Sequence, residues 1–125
     1  MIKSKVGICL IGCGRAGMIH GRNFMNKVAG AQITAVVDAV EEAAKAAADE
    51  LSVDAWYTDY KQILDNDAID AVIIACPTNL HRDIVVDCAN AKKHIFCEKP
   101  MAMNTRECDE MIASCGKNNV KLQIG

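Results

Sequence analysis

Val6-Gly7-Ile8-Cys9-Leu10-Ile11-Gly12-Cys13-Gly14-Arg15-Ala16-Gly17 is the stretch that decides the fold. Val6 to Ile11 reads as a strand, and Ala16 to Val28 as a helix. The Gly-x-Gly-x-x-Gly pattern lies between them, which is the context that turns a glycine run into a phosphate-binding turn. Gly12 allows the tight turn, Gly14 lets backbone approach a pyrophosphate, and Gly17 lets the helix pack closely on the sheet. The free N–H groups of the first helical turn then face the negative phosphates. Gly12, Cys13, Gly14, Arg15, Ala16 and Gly17 are therefore candidate cofactor contacts. FAD and SAM sites use similar loops, and a fortuitous glycine turn is the bland alternative.

Working outward, Gln32 to Val37 reads as a second strand ending at Asp38, twenty-one residues after Gly17. A carboxylate there can accept both adenosine ribose hydroxyls and repels the extra phosphate of NADP. Ala39-Val40-Glu41-Glu42 offers that phosphate nothing positive, so the expected cofactor is NAD rather than NADP. Arg15 either balances pyrophosphate charge or is a solvated side chain. His20 and Asn23, spaced i and i+3, share a helix face, either as a surface pair or as a cofactor or interdomain contact.

The same alternation continues to the end of the chain. Glu41 to Leu51, rich in Ala, Glu and Lys, reads as a helix. Ala55 to Tyr57 reads as a short strand and Tyr60 to Leu64 as a short helix. Ala71 to Ala75 has the unbroken hydrophobicity of a strand covered on both faces, and stops at Pro77. Leu80 to Asn90 reads as a helix that Thr78 or Asn79 can cap. His94 to Cys97 is another strand, Thr105 to Cys115 a helix with Gly116 as its C-cap, and Val120 to Ile124 a final strand. Six strands separated by crossovers predict a doubly wound, three-layer α/β/α fold with parallel strands in the order 3-2-1-4-5-6.

Composition agrees. The 125 residues fit one domain, residues 1–125. Apolar residues are 51% and aromatics 4%, as an aliphatic parallel sheet requires. Fourteen basic against sixteen acidic residues give a net charge of -2, and Lys92-Lys93 is the only basic doublet, so no nucleic-acid partner is expected. Met1-Ile2-Lys3-Ser4-Lys5 runs into an apolar stretch too short for a leader or a membrane span. The seven cysteines are odd in number and form no CxxC pair, so they are expected to be reduced, structural and cytoplasmic, with no metal site. An end at Gly125, directly after an apolar strand, predicts an excised domain or a truncated gene product.

Two further segments lie past strand ends. Cys76-Pro77-Thr78-Asn79-Leu80-His81 follows the fourth strand and Glu98-Lys99-Pro100 the fifth, so both open onto the crevice where ligands of such sheets bind. On spacing alone, Thr78 and Asn79 are equally well helix caps, and Glu98 with Lys99 a surface salt-bridge pair. Taken together with the glycine loop, His20 and Asp38, these segments resemble the family of glucose–fructose oxidoreductase, inositol dehydrogenase and the rhizopine-catabolism oxidoreductases, the Gfo/Idh/MocA family. The resemblance spans the whole chain as that family's N-terminal domain. It implies that Cys76 to Asn79 flank the cofactor, with His81 near the same cleft. Glu98 is implied to contact the nicotinamide ribose, and Lys99 to reach the reacting hydroxyl or carbonyl as the catalytic residue of this half. It also implies oxidation of a secondary alcohol of a sugar, cyclitol or related polyol, or the reverse. A second, substrate-binding domain is not part of these residues, and the longer protein is implied to be a homo-oligomer. The alternative function is a non-catalytic NAD(P)-binding regulator or sensor, for which Lys99 would have no use.

Overall fold

A computed structural model describes residues 5–125. The first four residues, read above against a secretory leader, lie outside the described residues. Strand β1, Val6–Ile11, leads into helix α1, Arg15–Asn26, then β2, Ala31–Val37, and α2, Glu41–Leu51. Strand β3, Trp56–Tyr57, is followed by a 3-10 turn, Tyr60–Ile63, and by β4, Ala71–Ile74. A second 3-10 turn, Thr78–Leu80, opens α3, His81–Asn90. Strand β5, His94–Cys97, α4, Thr105–Lys117, and β6, Leu122–Ile124, complete the chain. The six strands form one sheet in the order β3-β2-β1-β4-β5-β6, and every neighbouring pair is parallel.

The period of two along each strand divides the core into two layers. Ile8, Leu10, Val36 and Ile73 point to the face where Ala47, Ala48 and Leu51 of α2 and Met18 of α1 pack. Their neighbours Cys9, Ile11, Ala35, Val37, Val72, Ile74, Ile95 and Cys97 point to the other face. There they meet Ile84, Val85 and Cys88 of α3 and Met111 and Cys115 of α4. The result is the three-layer α/β/α sandwich. Because α1 and α2 cover one face and α3 and α4 the other, the winding reverses between β1 and β4. A crevice opens there at the carboxyl ends of the strands.

Some boundaries differ from the sequence reading. Gly116 does not cap α4: the helix runs through it to Lys117, and Asn119 takes the left-handed conformation, φ 56°, with its N–H donating to the Gly116 carbonyl. Asparagine tolerates that region by local hydrogen bonding, and the competing glycine lacked any positional need. Neither Thr78 nor Asn79 caps α3 through its side chain. The 3-10 turn that contains them satisfies the backbone instead, Leu80 N–H donating to the Pro77 carbonyl at 3.0 Å. The two lysines of the basic doublet differ in burial. Lys93 is buried, and its ammonium donates to the carbonyls of Asn66 and Ile69 at 2.7 and 2.8 Å.

All seven cysteines are free thiols, five of them buried. Burial pushes Cys13, Cys88 and Cys97 up to about 12 and Cys76 to about 11. Among the described residues no helix is long and apolar enough to cross a membrane.

Candidate functional site

The glycine loop sits at the reversal point, held from both sides. Gly12 N–H donates to the Val37 carbonyl at 2.8 Å, and Ala75 N–H to the Ile11 carbonyl at 2.8 Å. Gly12 has φ +98°, and a Cβ there would lie 2.6 Å from the Ala75 carbonyl carbon. Gly17 faces the loop so closely that a Cβ would lie 1.8 Å from the Gly12 oxygen. Gly14 is different, because a Cβ there would meet nothing within 4 Å. The first two glycines are needed by the fold. The third leaves bare backbone toward open space.

Gly14 is also the N-cap of α1, and no side chain caps that helix. Nor does an acidic residue occupy its first turn. The early amides of a helix lack intrahelical acceptors and carry the positive end of the dipole. Left uncapped beside a bare glycine, they suit an anion. Arg15 and Ala16 lie exposed in this turn.

Asp38 closes the other side of the loop. Its Oδ2 accepts from the Cys13 amide at 2.8 Å and its Oδ1 from the Val40 amide at 2.9 Å. A carboxylate offers about four acceptor sites, so two remain for ribose hydroxyls. Burial first, and the neighbouring Asp38 charge second, keep the Cys13 thiol protonated.

A cleft of about 480 Å³ runs over these groups. Gly12, Gly14, Asp38, Cys76 and Pro77 line it, as the sequence reading expects. Ala39 and Leu80, from segments the sequence reading placed at the crevice, line it as well, as do Thr58, Asp59, Tyr60 and Ile84, which the sequence alone did not single out. Tyr60 donates its hydroxyl proton to Asp87 Oδ2 at 2.6 Å, tying the 3-10 turn to α3. Burial, with Asp87 adding to it, raises that phenol above its ordinary range. No local pattern announces such wall residues; Thr58, Asp59 and Tyr60 are brought in by the β3–β4 crossover and Ile84 by α3.

His81 lies beneath the cleft rather than in it. It is 1% exposed. Its Nε2 lies 2.8 Å from the Cys76 carbonyl oxygen, and its Nδ1 lies 3.1 Å and 3.2 Å from those of Pro100 and Met101. Whichever ring nitrogen carries the proton has a carbonyl to donate to. The side chain thus ties the loop after β4 to the loop after β5, and Thr78, Asn79, Glu98 and Lys99 are carried by those loops. Lys99 is exposed, and its peptide bond to Pro100 is cis.

Glu98 N–H donates to the Ile74 carbonyl at 2.9 Å, so its side chain leaves the sheet next to β4. Its Oε1 lies 3.6 Å from His20 Nε2 on α1. Its Oε2 is buried without a hydrogen-bond partner among the described residues. Asp38, the uncapped helix start and the orphaned Glu98 oxygen form a row along the strand ends. Acceptors at both ends and bare amides between them fit a molecule with two hydroxylated sugars joined by phosphates. Among the described residues, no group of three or more His, Cys, Asp or Glu side chains is placed to hold a metal ion.

Comparison with known proteins agrees with the fold. A family model described as "Oxidoreductase family, NAD-binding Rossmann fold" matches residues 6–125. The chain belongs to the Gfo/Idh/MocA oxidoreductase family. It is 36% identical over 118 residues to a myo-inositol 2-dehydrogenase of Thermotoga maritima, covering 94% of this chain and 35% of that one. It is 37% identical over 123 residues to an inositol 2-dehydrogenase of Salmonella typhimurium, covering 97% and 36%. A solved scyllo-inositol dehydrogenase of Lactobacillus casei, with bound cofactor NAD(H) and scyllo-inositol, superposes with a TM-score of 0.91. Identity there is 30%, covering 97% of this chain and 36% of the other. The chain thus spans about a third of the length of the relatives it matches. Within the Gfo/Idh/MocA fold it is the NAD-binding Rossmann unit.

Proposed function

We propose that residues 1–125 are the cofactor-binding portion of a longer oxidoreductase that moves a hydride between NAD and a secondary alcohol of a cyclitol, sugar or related polyol. The observation that carries this is the row of groups along the strand ends, from Asp38 to the partnerless Glu98 oxygen. Gly12 and Gly17 shape the turn, and Gly14, Arg15 and Ala16 present amides to the pyrophosphate. Cys13 ties the loop to Asp38, which receives the adenosine ribose. Cys76, Pro77, Thr78 and Asn79 form the adjoining wall, which His81 supports from below. Glu98 accepts from the second ribose.

Bound NAD supplies the hydride acceptor. Lys99, exposed past the end of β5, orients the substrate hydroxyl and moves its proton, aided by residues of a second domain that also exclude water from the cleft. NAD is preferred over NADP. Asp38 and Asp59 line the cleft with no Lys or Arg among its described lining residues, which leaves a 2′-phosphate repelled and unpaired. The likeness to inositol dehydrogenases supports a cyclitol or sugar as substrate. The longer protein is a homo-oligomer by its family resemblance, and its unpaired thiols suit the cytoplasm.

Calorimetric titration of NAD into the chain tests the reading, with Trp56, the single tryptophan, as an optical reporter near Asp38. The expected result is one site, with NADP bound at least tenfold more weakly. A chain that binds neither at millimolar concentration overturns it.

A further inference from the structure

His20 belongs to the second turn of α1, the helix whose first turn carries the glycine loop. Its ring meets Phe96 of β5 edge-on, centroids 5.0 Å apart and planes at 64°. This contact turns Nε2 toward Glu98 Oε1 at 3.6 Å, and both side chains are mostly covered, 22% and 24% exposed. That separation is an ion-pair distance, longer than a formed hydrogen bond. His20 therefore orients the carboxylate without saturating it. The other oxygen, Oε2, is out of water and accepts from nothing among the described residues. A desolvated acceptor with no donor is costly, so the arrangement makes sense where a ligand brings the donor.

We propose that His20 is a positioning residue for Glu98. It draws Oε1 toward α1 and so leaves Oε2 to accept from a hydroxyl of the nicotinamide-side ribose. The inference rests on the NAD-binding reading above. It adds that one helix serves both halves of the dinucleotide, its first turn meeting the phosphates and its second setting an acceptor two strands away. Asp38 serves only the adenosine half, so the two ends of the ligand can be probed separately.

The test is calorimetry of NAD and of ADP, which lacks the nicotinamide half, against wild type, His20→Phe, His20→Gln, Glu98→Gln and the double variant His20→Phe/Glu98→Gln. Phenylalanine keeps the contact with Phe96 but has no polar edge. His20→Phe is expected to weaken NAD about tenfold, the range of one polar contact, and to leave ADP within about twofold. His20→Gln, which restores an N–H donor, recovers most of the loss. In the Glu98→Gln background His20→Phe has no further effect, because the group it positions is already gone. Unchanged NAD affinity in His20→Phe overturns the proposal, as does an equal loss for NAD and ADP or a full additional loss in the double variant. If His20→Phe fails to fold, unchanged NAD affinity in Glu98→Gln overturns it alone. A wild-type chain that binds neither ligand fails differently, because it removes the cofactor site itself.

Discussion

The Asp38 carboxylate accepts the backbone proton of Cys13 at 2.8 Å, so the end of β2 is tied to the middle of the glycine loop. The second oxygen holds the Val40 amide, at the entry to α2. A residue read from sequence as a ribose acceptor is therefore also the brace of the phosphate turn. The two roles are compatible because a carboxylate has lone pairs to spare. They also mean that a substitution here acts on ligand and loop together.

Asp38→Ala is expected to weaken NAD binding by roughly ten- to a hundredfold, since hydrogen bonds to a charged acceptor contribute about 1.5–3 kcal/mol each and 1.4 kcal/mol is a factor of ten. NADP, freed of repulsion, loses much less or gains. Loss of the brace costs about 1–2 kcal/mol of stability in addition. Titration of both cofactors, alongside urea unfolding of both proteins, separates the effects. Unchanged NAD affinity would place Asp38 outside the site.

His81 makes the strongest case for a purely supporting role. Replacing it with leucine fills much of the same space but removes the ring N–H from whichever of the Cys76 and Pro100 carbonyls accepts it. The expected loss is about 2–4 kcal/mol of unfolding free energy, from unpaired buried acceptors. NAD affinity falls as well, because the loops bearing Thr78 and Glu98 are no longer tied together. Urea midpoints measure the first effect and titration the second. A His81→Leu chain with wild-type stability would contradict the role assigned from its contacts.

How much of this was legible in sequence follows from the range over which each signal acts. The alternation along Val6–Ile11, the glycine spacing and Asp38 at a strand end are local patterns, and they specified the sheet order and the place of the glycine loop and Asp38 at one cleft. Gly116 misled because a cap-like residue at a plausible place cannot be distinguished from a helical one until the following turn is seen. Lys93 was counted only as half of the one basic doublet, and nothing local shows that its ammonium meets the Asn66 and Ile69 carbonyls across a loop. His20 was paired by helix spacing with Asn23, whereas its structural partners are Phe96 of β5 and Glu98 just after it. His81 was placed near the cleft, and only the folded loops reveal that it supports the cleft from underneath. Contacts between elements far apart in the chain leave no periodic trace.

The buried thiols make stability depend on alkaline pH. Burial raises Cys9, Cys13, Cys76, Cys88, Cys97 and Cys115 in the folded state from a reference of 9.0. An acid held protonated by folding stabilises the native state fully below its unfolded value. That stabilisation is lost as pH rises, because the unfolded chain releases its protons first. The urea midpoint is thus expected to be insensitive to these groups up to about pH 8 and to fall above pH 9. Cys88→Ala should lower stability at neutral pH and flatten the alkaline slope. Cys76, which lines the cleft, is expected to alkylate slowly at pH 8 and about tenfold faster per pH unit below 11, with NAD protecting it. A slope unchanged by Cys88→Ala would argue against the assignment.

The glycines of the loop separate folding from binding most cleanly. At Gly17 a methyl group would lie 1.8 Å from the Gly12 oxygen, and neither atom can yield, since one is helix backbone and the other is the turn itself. Gly17→Ala should therefore cost about 3 kcal/mol or more and lower Tm by roughly 10 °C. At Gly14 the same methyl group meets no atom of the described residues within 4 Å, and φ is -77°, where alanine is unstrained. Gly14→Ala should cost within about 1 kcal/mol, mostly the poorer N-cap. Its methyl group would nevertheless occupy the bare space over the uncapped helix start, where the pyrophosphate is expected to approach. NAD affinity should fall at least tenfold in a protein of nearly native Tm. Differential scanning calorimetry with and without NAD reads both quantities, because a ligand of the folded state raises Tm by mass action. Gly14→Ala that keeps the full NAD-induced rise would move the phosphates away from this loop.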